Sequence, residues 1–281
     1  MPAQNDTFTE PWQDKTSYLA GMTYITELRK TEKQERLEQA IEENPILAEL
    51  VKNPRLLKAA EIVNQHHKPS PCRAELFEEL SQVLLVEWLY EGDSLLSVIS
   101  LEDEQGIWGQ VAYHMQTNGK GENLISEPEL INIIREYITA HVSKCFKFVK
   151  TNEAKAMSRL MIDQLQTGNF VVCPQENNKY SFIHRVFLEY FCACQFVTRF
   201  NKRGLEEGIT FDELKFEVFG KHWQDESWHE TLSLIVEMLH PGFGEQIIQY
   251  LKNLDAGKQE AQKRALISKC FKALIGRQSR P

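Results

Sequence analysis

No stretch of this chain approaches the roughly 20 consecutive apolar residues that a membrane-spanning helix needs. Even the run SLIVEML at 233–239 is cut by Glu237, so no membrane span is expected. The opening MPAQNDTFTE has neither a basic n-region nor an apolar h-region, and no signal peptide is expected. Positive charge is also in deficit. Thirty-two Lys and Arg stand against 40 Asp and Glu, a net charge of −8, a poor footing for bulk attraction to DNA or anionic lipid. Nucleic acid and membrane are therefore not expected partners. The six cysteines (Cys72, Cys145, Cys173, Cys192, Cys194, Cys270) include no CxxC pair and no His/Cys grouping at zinc spacing. They read as buried thiols of a reducing compartment, and a cytoplasmic location is expected.

Recognisable catalytic machinery is missing too. A phosphate-cradling loop needs G-x-x-x-x-G-K-[ST], whereas Gly119-Lys120 and Gly220-Lys221 have neither the upstream glycine nor the following hydroxyl. LLSVISLEDE at 95–104 imitates a strand ending in acidic magnesium ligands, but without a partner loop it reads as a connection between helices. There is no G-x-S-x-G elbow and no H-E-x-x-H. Cys192 and Cys194 stand two apart on a helix and so point to different faces. The pairs His66-His67 and His222 with His229 lack a plausible third ligand and read as loop or surface histidines. No catalytic residue and no metal site is expected.

What is present is ordinary globular material, 42% hydrophobic and 26% charged, with mainly helical periodicity. Residues 1–15 show no helical or strand period and are expected to be flexible. Leu19, Met22, Ile25 and Leu28 fall three apart and Leu37 and Ile41 four apart, suggesting one or two helices. Asn44-Pro45 and Asn53-Pro54 each read as a cap followed by a first helical residue. Pro69 and Pro71 punctuate a loop before a helix with Leu76, Leu80, Val83 or Leu84, and Trp88 on one face, ended by Gly92. A helix through Val111 and Met115 is followed by a Gly-rich turn. The next helix is capped at Ser126, with Pro128 in its first turn and Glu129 at the capping-box position. After a further helix at about 151–167, ended by Gly168, the period changes. Phe170 to Cys173 and Tyr180 to Ile183 read as a lone β-hairpin. Three helices and a hairpin are the winged-helix order. Beyond it lie a long helix from His184 and antiparallel helix pairs around DESWHETLSLIVEMLH and GEQIIQYLKNL. Last comes a basic tail, 258–281, with seven Lys/Arg against one Glu.

In the stretch KYSFIHRVFLEYFCACQFVTRF, the residues Ile183, Phe187, Tyr190, Cys194 and Val197 form one stripe, and Arg185 can pair with Glu189. His184 falls where the last strand hands over to the helix, where free backbone N–H groups favour an anion. A histidine at such a place is more commonly a cap or a satisfied core residue.

YSFIHRVFLEYFCACQF resembles the F-x-H-R-x-F-x-E-Y-x-A-A signature that closes the winged-helix part of NACHT-type signal-transduction NTPases, the STAND class related to NLR receptors. LVKNPRLLKAAEIV with PCRAELFEEL is similar to the same family's NPLLL…lPxxRaeLYe segment, and VAYHMQTNGKGENLISEPEL and ESWHETLSLIVEML match weaker patterns. The likeness covers about residues 40 to 240. It implies that Pro54 packs on an adenine and that His184 contacts the β-phosphate of ADP. Arg55 stands where the family usually has Leu, and Cys192 and Cys194 flank Ala193 where it has small residues.

Together these readings give a mainly α protein: a helical domain at 16–95, a winged-helix domain with one β-hairpin at 96–200, and a C-terminal helical extension with a basic tail at 201–281. The resemblance implies the nucleotide-sensing half of a signalling switch. It binds ADP or ATP only together with a P-loop NTPase domain supplied in cis or in trans, is not an enzyme alone, and works among other proteins of a signalling assembly. The alternatives are a winged-helix DNA-binding regulator and a helical protein-interaction scaffold. The first is disfavoured by Glu127, Glu129, Glu136 and Asp163 on the helices beside the hairpin.

Overall fold

Asn44 and Asn53 stand in extended backbone immediately before a proline, and each side chain accepts from the N–H groups that open the next helix. Because proline has no N–H to lose and its φ is already helical, each Asn-Pro pair starts a helix where the chain would otherwise run on. The resulting helices are α2 (Pro45–Leu50) and α3 (Pro54–His66), preceded by α1 at residues 30–43. The computed structural model describes residues 30–91, 99–118, 123–142, 151–167, 171–205 and 207–278. The expectations for residues 1–15, for Leu19 to Leu28, for the Trp88 side chain, Gly92 and Cys145, and for the turn after Asn118 and Gly168 lie outside the described residues.

The remaining helices are α4 (Arg73–Glu91), α5 (Leu101–Asn118), α6 (Glu127–Tyr137) continued by a π-turn at Ile138–Val142, and α7 (Thr151–Thr167). They are followed by α8 (Arg185–Asn201) and by a helical segment, α9, at 211–222 with a π-turn in its middle. The last three are α10 (His229–Met238), α11 (Pro241–Asn253) and α12 (Glu260–Gln278). As the spacing predicts, α4 buries Leu76, Leu80 and Leu84, and α6 opens with the expected box, the Ser126 N–H donating to the Glu129 carboxylate at 3.2 Å. Among the described residues no helix is long and apolar enough to cross a membrane.

The β-structure exceeds the expected hairpin. Strands β2 (Val172–Gln175) and β3 (Lys179–Phe182) pair antiparallel, and the short strand β1 (Ile125–Ser126) adds to the other side of β3, giving the order β1-β3-β2. The sheet is thus three-stranded rather than a lone hairpin. Two residues carry too little alternation to read as a strand, and the pairing comes from position. Asn123 extends it, its side-chain amide donating to the Phe182 carbonyl at 3.0 Å and accepting from the Phe182 N–H at 3.2 Å. Pro174 is accommodated because β2 is an edge strand. Its inclusion carries β2 to Gln175, two residues beyond the expected end at Cys173, and the expected start at Phe170 lies outside the described residues. Asn177 and Asn178 close the turn at φ 59° and 55°, a region asparagine tolerates better than most residues.

One contiguous core runs from Leu37 on α1 to Leu274 on α12. Its centre is aromatic. Phe182 of β3 stacks on Phe191 of α8 at 5.8 Å, and Phe77 of α4 meets Phe187 and Tyr190 of α8 at 6.1 and 6.0 Å. Each ring so buried contributes roughly 2 kcal/mol, and together they fix α8 between α4 and the sheet. Helix α8 also packs on α5 and α10, and α12 packs on α10 and α11. The expected basic tail is therefore, through residue 278, a packed helix rather than an appendage, with Leu266, Cys270 and Leu274 facing the core.

Candidate functional site

Ile183 ends the sheet pairing with its N–H on the Val171 carbonyl at 2.8 Å, and His184 follows in extended backbone as the N-cap of α8. Its Nδ1 accepts from the Val186 N–H at 3.3 Å. A ring nitrogen that accepts holds no proton, so the neutral imidazole carries its proton on Nε2, which is left as a donor. The ring is half-buried. That burial lowers its pKa below the ordinary histidine value, partly opposed by the nearby Glu49 carboxylate of α2. Near neutral pH His184 is accordingly an uncharged donor at the end of a helix whose own N-terminal dipole favours anions.

The start of α3 approaches the same sheet. Asn53 caps it, accepting from the Arg55 N–H at 3.0 Å, and Pro54 is its exposed first residue. The Arg55 guanidinium donates from Nη1 to Cys173 Sγ of β2 at 3.1 Å. The α2–α3 corner thus approaches the open end of the hairpin twice, through Glu49 near His184 and through Arg55 on Cys173 of β2. Arg185 pairs with Glu189 at 2.9 Å as the spacing predicts, and Glu189, nearly buried, has its pKa raised by that burial against the pull of Arg185.

Two histidine expectations need correction. His229 is not a surface residue: it is 2% exposed, with Nε2 at 2.8 Å from the Trp223 carbonyl. His222 is half-buried and lies flat on Trp228, ring centroids 3.7 Å apart. Both serve the turn between α9 and α10, His222 against the Trp228 ring and His229 on the Trp223 carbonyl. Their sequence distance suggested only a loop, because nothing local announces that the loop is folded inward. Among the described residues no group of three His, Cys, Asp or Glu side chains has metal-ligand geometry. The described cysteines are free thiols; burial pushes Cys194 and Cys270 up to about 12.

Sequence reasoning missed the most connected polar cluster. Arg73, first residue of α4, binds Glu237 of α10 through Nε at 3.1 Å and Nη2 at 2.9 Å, and Glu230 through Nη1 at 2.8 Å. Glu237 also accepts from the Ala74 N–H and from Cys72 Sγ, both at 3.1 Å, so it serves as a remote cap for α4. Lys269 of α12 completes the cluster on Glu230. Burial pushes the Glu230 carboxyl up, but Lys269 and Arg73 outweigh it and hold its pKa below the usual value. No local signal could have paired residues so far apart in the chain. Comparison with known proteins returns no matching family model, no matching curated protein and no matching solved structure.

Proposed function

We propose that the chain is the nucleotide-sensing half of a NACHT-like switch, in which His184 donates to a phosphate oxygen of ADP held mainly by a P-loop domain. The observation that carries this reading is the state of His184: half-buried, its Nδ1 engaged by Val186, its Nε2 left as donor, and its pKa lowered. These residues suit one phosphate contact and no more. The exposed Pro54 offers a rigid apolar face to a base, and the approach of the α2–α3 corner to the hairpin favours a shared cleft. In this reading helices α5 to α7 with the sheet form a winged helix, and the helices beyond it link nucleotide state to signalling partners. ADP bridging to His184 holds the closed state, and exchange for ATP favours opening because the two ligands contact the two states differently.

The test is nucleotide retention. The chain alone is expected to retain neither ADP nor ATP. Joined in cis or in trans to a P-loop NTPase domain, it is expected to hold ADP, and His184→Ala to weaken that hold about tenfold, the size of one charge-assisted hydrogen bond. Unchanged ADP affinity in His184→Ala sinks the role.

A further inference from the structure

Large apolar side chains exposed singly are ordinary on a protein surface. Helix α12 differs. It exposes two of them a turn apart, Phe271 at 52% and Ile275 at 47%, and no other helix does so among the described residues. Its inner face is already occupied, since Leu266, Cys270 and Leu274 are buried where α12 packs on α10 and α11. On the outer face Ala261, Arg264, Ser268, Phe271 and Ile275, all exposed, are spaced three, four, three and four apart. That is the a and d spacing of a heptad seam. Half-buried Ile267 borders the seam on one side, and exposed Ala265 and Lys272 border it on the other.

The order of residues along the seam selects its occupant. Small side chains and one long stem hold the N-terminal half, and the two large apolar ones hold the C-terminal half. A second α12 laid antiparallel sets a against d. Phe271 then lies on Ser268 of the partner subunit, and Ile275 lies on the partner subunit's Arg264. The Arg264 charge is paired within its own chain to Glu260 at 3.0 Å, so its methylenes can cover Ile275. At the flanks Lys272 stands opposite the partner's Ala265, and Ile267 opposite the partner's Leu274. No like charges oppose each other. A parallel copy does the reverse, setting ring on ring and Arg264 against the partner's Arg264.

We propose that the chain forms a two-fold dimer through an antiparallel pair of α12 helices, with Phe271 and Ile275 as its apolar anchors. A two-fold interface uses the same patch on both subunits, so each contact is made twice. One pair of 19-residue helices makes a small interface of the size found in transient complexes. The seam includes none of the residues around His184.

Sedimentation velocity of the full chain from about 5 to 500 µM tests this. A reversible monomer–dimer equilibrium with a micromolar Kd is expected. Phe271→Ser should raise that Kd at least tenfold, because the interface loses the ring twice. The variants at exposed Ala265 read the orientation. Ala265→Glu faces Lys272 of the partner subunit and should tighten the dimer at low ionic strength, whereas Ala265→Lys should weaken it. In a parallel pair position 265 faces the partner's Glu260 instead, and both signs reverse. The Ala265 variants carry the test should Phe271→Ser lower the melting temperature. A monomer up to 500 µM, a Kd unmoved by Phe271→Ser in a chain that melts as the parent does, or equal or reversed effects of the two charges at 265 overturns the proposal.

Discussion

Glu104 and Glu237 are both glutamates nearly removed from water, 1% and 5% exposed, and their surroundings could hardly differ more. Glu237 has a guanidinium, a backbone N–H and a thiol around it, and through Arg73 it joins α4 to α10. Glu104, on the inner face of α5, has among the described residues only the Trp108 indole N–H on Oε1 at 3.3 Å, and no partner there for its Oε2. Burial without compensation raises the Glu104 pKa well above the ordinary carboxylate value. The contrast shows two ways of keeping a carboxyl inside: surround the charge with donors, or let it keep its proton.

The largest expected effect comes from removing Arg73. Arg73→Ala leaves Glu237 buried with its cation gone, which costs about 3 kcal/mol in urea unfolding. Arg73→Ala with Glu237→Gln should recover part of that loss, since the orphaned charge is then absent. A cost below about 1 kcal/mol for the single variant would mean that water replaces the guanidinium and that the cluster does not hold α4 to α10.

Glu104 should show the opposite sign with pH. Its pKa is higher folded than unfolded, so the folded state binds more protons between the two values, and stability is lost as pH rises from the unfolded pKa towards the folded one. Glu230, whose pKa is lowered, contributes stability above its unfolded pKa and loses it as pH falls through the folded value. Glu104→Gln, which cannot ionise and keeps an acceptor for Trp108, should therefore be more stable than the parent at pH 8 by about 1 kcal/mol, the order of one uncompensated buried polar group. The gain should shrink at pH 5; melting curves at the two pH values decide it, and an equal gain at both would exclude ionisation as the cause.

Capping comes next in size. His184 and His240 each accept through Nδ1 from the N–H two residues on, both at 3.3 Å, yet His184 is half-buried and His240 exposed. Alanine at either position should cost up to about 1 kcal/mol. Asparagine should restore stability at both, while at His184 it removes the Nε2 donor, so stability and nucleotide retention separate in one variant. The smallest effect is expected at Cys72, where Cys72→Ala deletes a weak thiol donor from an already well-served carboxylate and should cost less than about 0.5 kcal/mol by chemical denaturation.

Much of the local architecture was legible. Asn44-Pro45, Asn53-Pro54 and Ser126 with Glu129 begin helices at the expected residues because a cap is a short-range event among neighbours in the chain. The hairpin was visible but not its third strand, since Ile125 and Ser126 are strand residues only by virtue of what lies beside them. At the candidate site, the cap position of His184 could be read from the change of period, whereas its half-burial and its closeness to Glu49 could not.

By itself the sequence determined a mainly helical chain, the places where its helices begin, the faces they bury and the strand-to-helix junction that presents His184, because all of these follow from residues within a few positions of one another. Tertiary structure alone decided that Glu104 is buried nearly alone and Glu237 in company, that His229 lies inside, and that α12 leaves Phe271 and Ile275 outside. Solvent exposure and charge pairing depend on residues far apart in the chain, and their energy is fixed only when the helices meet.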